Sequence, residues 1–215
     1  MKIVDVTGIV EEVSGTGFDI MLGLSWTELP IWHSIYGGYG YATGHATSGS
    51  GLASGLLTQL TDQFMTGGTM GWFTYQDQGD AFFDPANAER VAYIQRLSAA
   101  RIAAKNWMVH GRATRTLSLA DKTTSLKSGC FLRDKTGEPA SVVCAISLPS
   151  NTTSSINYHF TMAPSRFGMV VPPGTQVALE DLETGASLGK FDGNVTYTGS
   201  VESYDLVLLK LAVTG

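Results

Sequence analysis

The chain has 215 residues, of which 43% are hydrophobic and 15% are charged, with a formal net charge of −5 and a pI near 5.3. This hydrophobic fraction predicts a packed core and excludes a disordered chain. The acidic balance argues against electrostatic binding of nucleic acid, and no apolar run in the sequence is long enough for a membrane-spanning helix. Ordinary soluble domains carry about 25% charged residues, so the deficit suggests that a partner covers part of the surface.

The first predicted element is a strand. Residues 2–10 are mainly β-branched and apolar, and the strand ends at Glu11 and Glu12. No apolar segment of the signal-peptide type follows Met1. A complete chain is therefore expected in the cytoplasm, whereas a fragment of a longer protein is compatible with secretion.

The stretch 30–41 combines a short apolar run with glycines, three tyrosines and a histidine. Pro30 and the glycines bound the run, so it predicts a buried strand and not a helix. Aromatic rings beside His33 at a strand exit suit a sugar-binding cleft, because apolar ring faces stack on sugars and polar tips reach hydroxyls. A core strand that leads into a turn is the structural alternative.

A helix, a strand and a second helix follow. Residues 52–65 predict a helix that Gly67 and Gly68 end, and residues 69–75 predict a strand. Asp84 and Pro85 have the types expected at a helix start. The first helix has an apolar face made of Leu56, Leu57, Leu60 and Phe64, and the second has a stripe made of Tyr93, Leu97, Ala100, Ala104 and Trp107. Alternation of strands and helices implies parallel strands with covering helices.

The second half of the sequence has a different character. Short alternating runs separated by turn signals predict an antiparallel β-sandwich. The runs are residues 129–133, 140–148, 156–162, 168–171, 176–182, 194–198 and 204–211. Two cysteines, Cys130 and Cys144, flank the turn-rich stretch 134–139 and fall nearly opposite each other if it is a hairpin. A disulfide and two buried thiols both fit this spacing.

The order of elements resembles the C-terminal part of a glycoside hydrolase, in which a (β/α)8 barrel precedes a β-sandwich. More narrowly, it resembles a poorly characterised family of glycosidase-like barrels. The resemblance is carried by residues 30–39, 67–72 and 93–101, and by Gly111 with Arg112. It implies an α/β plus all-β fold. Residues 1–115 would be the C-terminal portion of an incomplete TIM-type barrel, and residues 116–215 the antiparallel sandwich.

The resemblance also implies where a site would lie. Residues 2–12, 31–36 and 69–75 would be barrel strands six, seven and eight, and active sites of such barrels lie at the carboxyl ends of the strands. The implied substrate-binding residues are His33, Tyr36, Tyr39, Trp72, Tyr75 and Asp77. Glu11 or Glu12 stands where related barrels have the catalytic acid, and a solvated turn is the alternative.

The resemblance leaves the enzymatic status of the chain open. In related barrels the nucleophile follows strand four, which is missing here. Because glycoside hydrolysis usually needs two carboxylates, the parent is expected to be a hydrolase and this chain to be inactive alone. The implied partners are an oligo- or polysaccharide, and a missing N-terminal barrel portion or a partner chain.

Other functions were weighed against the hydrolase. No group of His, Cys, Asp or Glu has zinc or calcium spacing in the sequence, so no metal or cofactor is predicted. The second hypothesis is a non-catalytic carbohydrate- or protein-binding module built around the sandwich. Its few exposed-looking aromatic residues are Tyr158, Tyr197 and Tyr204.

Overall fold

The computed structural model of the chain describes residues 32–37, 54–74, 85–120, 126–152 and 154–214. These residues are mostly antiparallel sheet with few helices. In chain order they form β1 (Trp32–Gly37), α1 (Ser54–Met65), β2 (Thr69–Thr74), a 3-10 turn (Pro85–Asn87), α2 (Ala88–Ala103), α3 (Lys105–Met108), β3 (Arg112–Ala113), β4 (Lys127–Arg133), β5 (Ser141–Leu148), β6 (Ile156–Met162), a second 3-10 turn (Pro164–Phe167), β7 (Gln176–Asp181), β8 (Ser187–Phe191), β9 (Val195–Val201) and β10 (Asp205–Thr214). In the described ranges no helix is long and apolar enough to cross a membrane.

The first two strands form a parallel pair. Trp32 of β1 pairs with Thr69 of β2, and the pairing continues to Gly37 and Thr74. Parallel neighbours need a crossover connection, and α1 lies in the segment that joins them. The predicted strand–helix–strand order and its parallel pairing are confirmed. A complete (β/α)8 barrel is not seen in the described residues, so the barrel stays a prediction.

The apolar periodicities of α1 and α2 are confirmed. Leu57, Leu60 and Phe64 of α1 are fully buried, and every residue of the predicted α2 stripe is buried. Gly67 ends α1 with a left-handed backbone (φ 81°), as glycine does at many helix ends. The second helix starts differently from the prediction, because Pro85 begins a 3-10 turn and the α-helix starts at Ala88. Asp84, the predicted N-cap, lies outside the described residues.

The antiparallel strands form two sheets. The larger has six strands in the order β3-β4-β5-β10-β7-β8, and the smaller pairs β6 with β9. The predicted strand at 168–171 is wrong, because Gly168 has a φ of 84° and ends the second 3-10 turn. The sequence prediction missed β3 and β8, since neither shows a long alternating run. The predicted domain boundary at residues 115 and 116 stays a prediction.

The central strands of the larger sheet are buried on both faces. On one face Phe131, Val143 and Leu208 pack in one core with α1, α2 and α3. On the other face Cys144, Ile146 and Leu211 share a second core with β6 and β9. All eight residues of β5 are buried for this reason. The larger sheet is therefore the middle layer between the helices and the smaller sheet.

The two cysteines occupy directly opposed positions. Cys130 of β4 pairs with Cys144 of β5 in the strand register, and the two residues form a disulfide. Both are buried. The hairpin expected from residues 134–139 is present, and of the two alternatives that the sequence left open the structure has the disulfide.

Candidate functional site

Three of the predicted substrate-binding residues lie in the described strands. His33 and Tyr36 belong to β1, and Trp72 belongs to β2. The remaining predicted site residues lie outside the described residues; they are Glu11, Glu12, Tyr39, Tyr75 and Asp77. The convergence of the whole set on one cleft stays a prediction.

The register of the parallel pair places the three described positions relative to one another. Trp72 pairs with Ile35, the neighbour of Tyr36, and His33 pairs with Met70. Adjacent strands lie about 4.8 Å apart, and successive positions alternate between the two faces of a sheet. Positions 33 and 72 therefore lie on one face of the pair, and position 36 lies on the other.

The two strands end at a common edge. Gly37 and Thr74, the last residues of β1 and β2, are paired. We call these paired carboxyl ends of the two strands the strand edge. Tyr39 follows it in the sequence after β1, and Tyr75 and Asp77 follow it after β2. Ligands of parallel α/β structures bind outside the carboxyl ends of the strands. The strand edge is therefore the candidate site.

Arg101 of α2 holds the connection that leads into β2. Its Nη1 donates a hydrogen bond to the Gly68 carbonyl (2.6 Å), and its Nη2 donates to the Gly67 carbonyl (3.2 Å). Burial lowers the pKa of the Arg101 guanidinium. These bonds satisfy carbonyls just past the end of α1 and tie the start of β2 to α2. The sequence pattern assigned Arg101 no role, because nothing local shows which distant carbonyls a side chain reaches.

A second connection joins α1 and α2 to the larger sheet. The hydroxyl oxygen of Tyr93 lies 2.7 Å from the Thr61 Oγ1 on α1 and 2.7 Å from the Ser147 Oγ on β5. Burial raises the pKa of Tyr93 to about 12. The helix that joins β1 to β2 is thus fixed to the antiparallel part of the chain.

The tyrosines of the second half do not form a stacking surface. Tyr158 is only 2% exposed, so its expected exposure is wrong. Tyr197 is half-buried and packs against Tyr158, with ring centroids 6.3 Å apart. Tyr204 packs against Tyr93 at 6.0 Å. These rings support the core, and they weaken the hypothesis of a sugar-binding module built around the sandwich.

Among the described residues, the Asp181 carboxyl is held in its ionised form. Among them no three His, Cys, Asp or Glu residues are grouped as metal ligands. Burial raises the pKa of the Asp181 carboxyl, but hydrogen bonds from Thr184 and from the Glu183 backbone outweigh it and leave that pKa below its usual value. An ionised carboxylate cannot donate the proton that cleavage of a glycosidic bond requires. Asp181 is therefore a turn residue and not a candidate acid.

The chain was compared with known proteins. No protein-family model matches it, and no curated protein matches it. It is similar to solved glycoside hydrolase structures. One is α-galactosidase I from Mortierella vinacea, with 13% identity over 90% of this chain and 42% of that chain and a TM-score of 0.43.

Two further solved structures are similar. A variant of the family 27 β-L-arabinopyranosidase from Geobacillus stearothermophilus, in complex with arabinose, has 11% identity over 95% of this chain and 43% of that chain, with a TM-score of 0.43. The α-galactosidase from Saccharomyces cerevisiae, with raffinose, has 11% identity over 85% of this chain and 47% of that chain, with a TM-score of 0.40.

The chain spans less than half the length of each of these three proteins. Their TM-scores are below 0.5, so the likeness does not by itself establish a shared fold. All three are glycoside hydrolases, the class of protein that the sequence resembles, and the identity is low and the coverage of each is partial.

Proposed function

We propose that the chain is part of a carbohydrate-active enzyme, an O-glycoside hydrolase, and that it supplies the substrate-binding side of the cleft. The proposal is carried by the parallel pair β1–β2, whose carboxyl ends meet at Gly37 and Thr74. The proposed residues of β1, of β2 and of the segments that follow them are of the kinds that bind sugars. Aromatic rings offer stacking faces, and histidine, tyrosine and aspartate offer hydrogen bonds to hydroxyls.

Each proposed residue has a role. Tyr36, Tyr39, Trp72 and Tyr75 are the stacking residues, and His33 and Asp77 are the residues that bind hydroxyl groups. Glu11 or Glu12 is the general acid. A second carboxylate from elsewhere in the barrel is needed for turnover, so the chain alone binds sugar without cleaving it.

The proposed partner is the portion that completes the barrel, upstream on the same polypeptide or on a second chain. A parallel sheet is ordinarily covered on both faces and has more than two strands, whereas β1 and β2 pair only with each other in the described residues. The low charged fraction of 15% supports a surface that is covered in the complete assembly.

The test is sugar binding by the full chain, measured by calorimetry against neutral mono- and oligosaccharides, together with hydrolysis of chromogenic aryl glycosides. We expect binding with a Kd on the order of millimolar and no hydrolysis. Trp72→Ala should weaken binding about tenfold, the effect of losing one stacking contact. Tyr204→Phe, which changes a tyrosine packed on Tyr93, is the matched control and should bind like the unmodified chain.

Two results would count against the proposal. Hydrolysis by the chain alone would show that it contains a complete catalytic site. Sugar binding that Trp72→Ala and Tyr36→Ala both leave unchanged would move the ligand away from the strand edge and favour the binding-module hypothesis.

A further inference from the structure

A cleft lies at the end of α1 that is remote from the strand edge. α1 ends at Met65 and β2 begins at Thr69, so this end of the helix lies at the amino end of β2. The strand edge lies at the carboxyl ends of the same parallel strands. The cleft has a volume of about 300 Å³ and is bounded by the last turn of α1, by Thr116 and by the start of β4. That volume is at the lower end of the range for small-molecule sites.

An ion pair lies in this cleft. The Lys127 Nζ is 3.0 Å from the Asp62 Oδ1 and 3.2 Å from the Asp62 Oδ2. The Asp62 side chain is 12% exposed and that of Lys127 is 27% exposed. The cleft therefore presents a hydrogen-bond acceptor beside a donor, both with reduced access to water.

The other walls are of two kinds. Met65 and Leu126 contribute apolar surface, and Thr116 and Ser128 contribute hydroxyl groups. The Ser128 hydroxyl donates to the Leu117 carbonyl at 3.4 Å, so its oxygen lone pairs can still accept a hydrogen bond. Thr116 is exposed and lines the cleft. A mixed lining with a few convergent polar groups is typical of small-ligand sites.

We propose that this cleft binds a neutral polyhydroxylated ligand of monosaccharide size. A charged ligand would be attracted by one member of the Asp62–Lys127 pair and repelled by the other at nearly the same distance. Adjacent hydroxyls both donate and accept hydrogen bonds, so they match a carboxylate and an ammonium group that lie side by side. The apolar wall suits the C–H face of a sugar ring. This second site is independent of the strand edge and does not rest on the proposed function.

The test uses the full chain and four probes: galactose, glucose, glucuronate and glucosamine. Binding is measured by saturation-transfer NMR and by calorimetry, in the unmodified chain and in Trp72→Ala, which impairs the strand edge. We expect the two neutral sugars to bind Trp72→Ala with a Kd on the order of 1 to 10 mM. The anionic and the cationic sugar should bind at least about fivefold more weakly.

Variants of Thr116 locate the bound sugar. Thr116→Trp should fill part of the cleft from an exposed position, and in the Trp72→Ala background it should leave no more than the weak binding of the impaired strand edge. Thr116→Ser keeps the hydroxyl and the volume open, and it is the matched control. Asp62→Asn should weaken binding about tenfold, the effect expected for losing a charged acceptor. Circular dichroism verifies that each variant is folded.

Three results would overturn the proposal. The first is neutral-sugar binding that a folded Thr116→Trp leaves unchanged. The second is binding of glucuronate or glucosamine that is as tight as the binding of galactose. The third is the absence of binding to Trp72→Ala up to about 100 mM sugar. The strand-edge proposal fails separately, when adding Trp72→Ala to Thr116→Trp, whose cleft is filled, leaves sugar binding unchanged. The two failures are therefore distinguishable.

Discussion

The hydroxyl oxygen of Tyr93 on α2 lies 2.7 Å from the Oγ of Ser147 on β5, in the middle of an apolar layer. Tyr93 is 1% exposed, and Ser147 is completely buried. The same tyrosine hydroxyl contacts Thr61 of α1, and the Ser147 hydroxyl donates to the Asp205 carbonyl of β10 at 2.9 Å. One chain of buried hydrogen bonds thus links two helices with two central strands.

Tyr93→Phe should destabilise the fold by about 1 to 2 kcal/mol, because the contacts of a buried tyrosine hydroxyl are lost. The loss is limited because the three hydroxyls have only three protons for four contacts, and without Tyr93 the protons of Thr61 and Ser147 are both available to the Leu57 and Asp205 carbonyls. Urea unfolding measures the change. Tyr204→Phe is the matched control, because the Tyr204 hydroxyl makes no hydrogen bond within the described residues, and it should cost less than about 0.5 kcal/mol. Equal losses would contradict the role of the buried network.

The same tyrosine predicts a dependence of stability on pH. Burial raises the pKa of Tyr93 to about 12 in the folded chain, whereas an exposed tyrosine in the unfolded chain titrates near 10. Between these values the unfolded state has lost the proton that the folded state keeps, so this contribution to stability is fully present below pH 10 and is lost as the pH rises towards 12.

The unfolding free energy of the unmodified chain should therefore fall more steeply than that of Tyr93→Phe between pH 10 and 12, by up to about 1.4 kcal/mol per pH unit. Urea titrations at several pH values measure both slopes. Burial also raises the pKa of Tyr158, but that residue is present in both proteins. Parallel slopes would show that Tyr93 ionises as easily in the folded chain as in the unfolded one.

Arg96 fastens α2 to the larger sheet. Its Nη1 donates to the Glu183 Oε1 (2.7 Å), its Nε to the Asp205 Oδ1 (2.8 Å) and its Nη2 to the Leu206 carbonyl (2.9 Å). Because its side chain is 27% exposed, solvent screens the charges, and we expect Arg96→Ala to cost about 1 to 2 kcal/mol. Arg96→Lys should recover less than half of this, since an ammonium group cannot reproduce the guanidinium fork. Thermal unfolding measures the stability of the Arg96 variants, and Arg166→Ala, at an exposed arginine, is the control. Equal melting temperatures for all variants would refute the stabilising role of Arg96.

Gly129 permits the close approach of α1 to β4. A Cβ at this position would lie 2.1 Å from the Met65 carbonyl oxygen, a distance at which the helix must move. Gly129→Ala should therefore destabilise the fold by more than about 3 kcal/mol, in the manner of an overpacked core. Gly193→Ala is the control, because a Cβ there meets nothing within 4 Å. Near-equal denaturation midpoints of the two variants would exclude a tight contact at Gly129.

The disulfide between Cys130 and Cys144 should contribute measurably to stability. The two residues are 14 positions apart, and closing a loop of about 15 residues stabilises by about 3 kcal/mol in the chain-entropy treatment. Urea unfolding with and without a reductant measures the difference. Denatured, unreduced protein should show no reactive thiols. Two reactive thiols per chain would identify the pair as free cysteines.

Local patterns in the sequence located most elements. The residues of β6 agree with the predicted run 156–162, and the periodicity of α2 identified its buried face. The prediction failed where local pattern carries little information. β8 has the sequence Ser-Leu-Gly-Lys-Phe and is a strand through its pairing with β7, and residues 168–171 contain apolar side chains but follow a left-handed glycine. The sequence pattern selected His33, Tyr36 and Trp72 as candidate binding residues. It gave no sign of the contacts of Arg101, which supports the start of β2 and whose partners lie more than thirty positions away.

The sequence by itself determined most of the helices and strands and which of their faces are apolar, because these properties follow from the spacing of side chains along one segment. Only the tertiary structure decided that β5 lies between β4 and β10 and is buried on both faces. It also decided that Cys130 is bonded to Cys144, and that Asp62 and Lys127, distant in the chain, meet in one cleft. The physical reason is that periodicity reports whether a face is buried, whereas the identity of the covering partner depends on contacts between segments far apart in the chain.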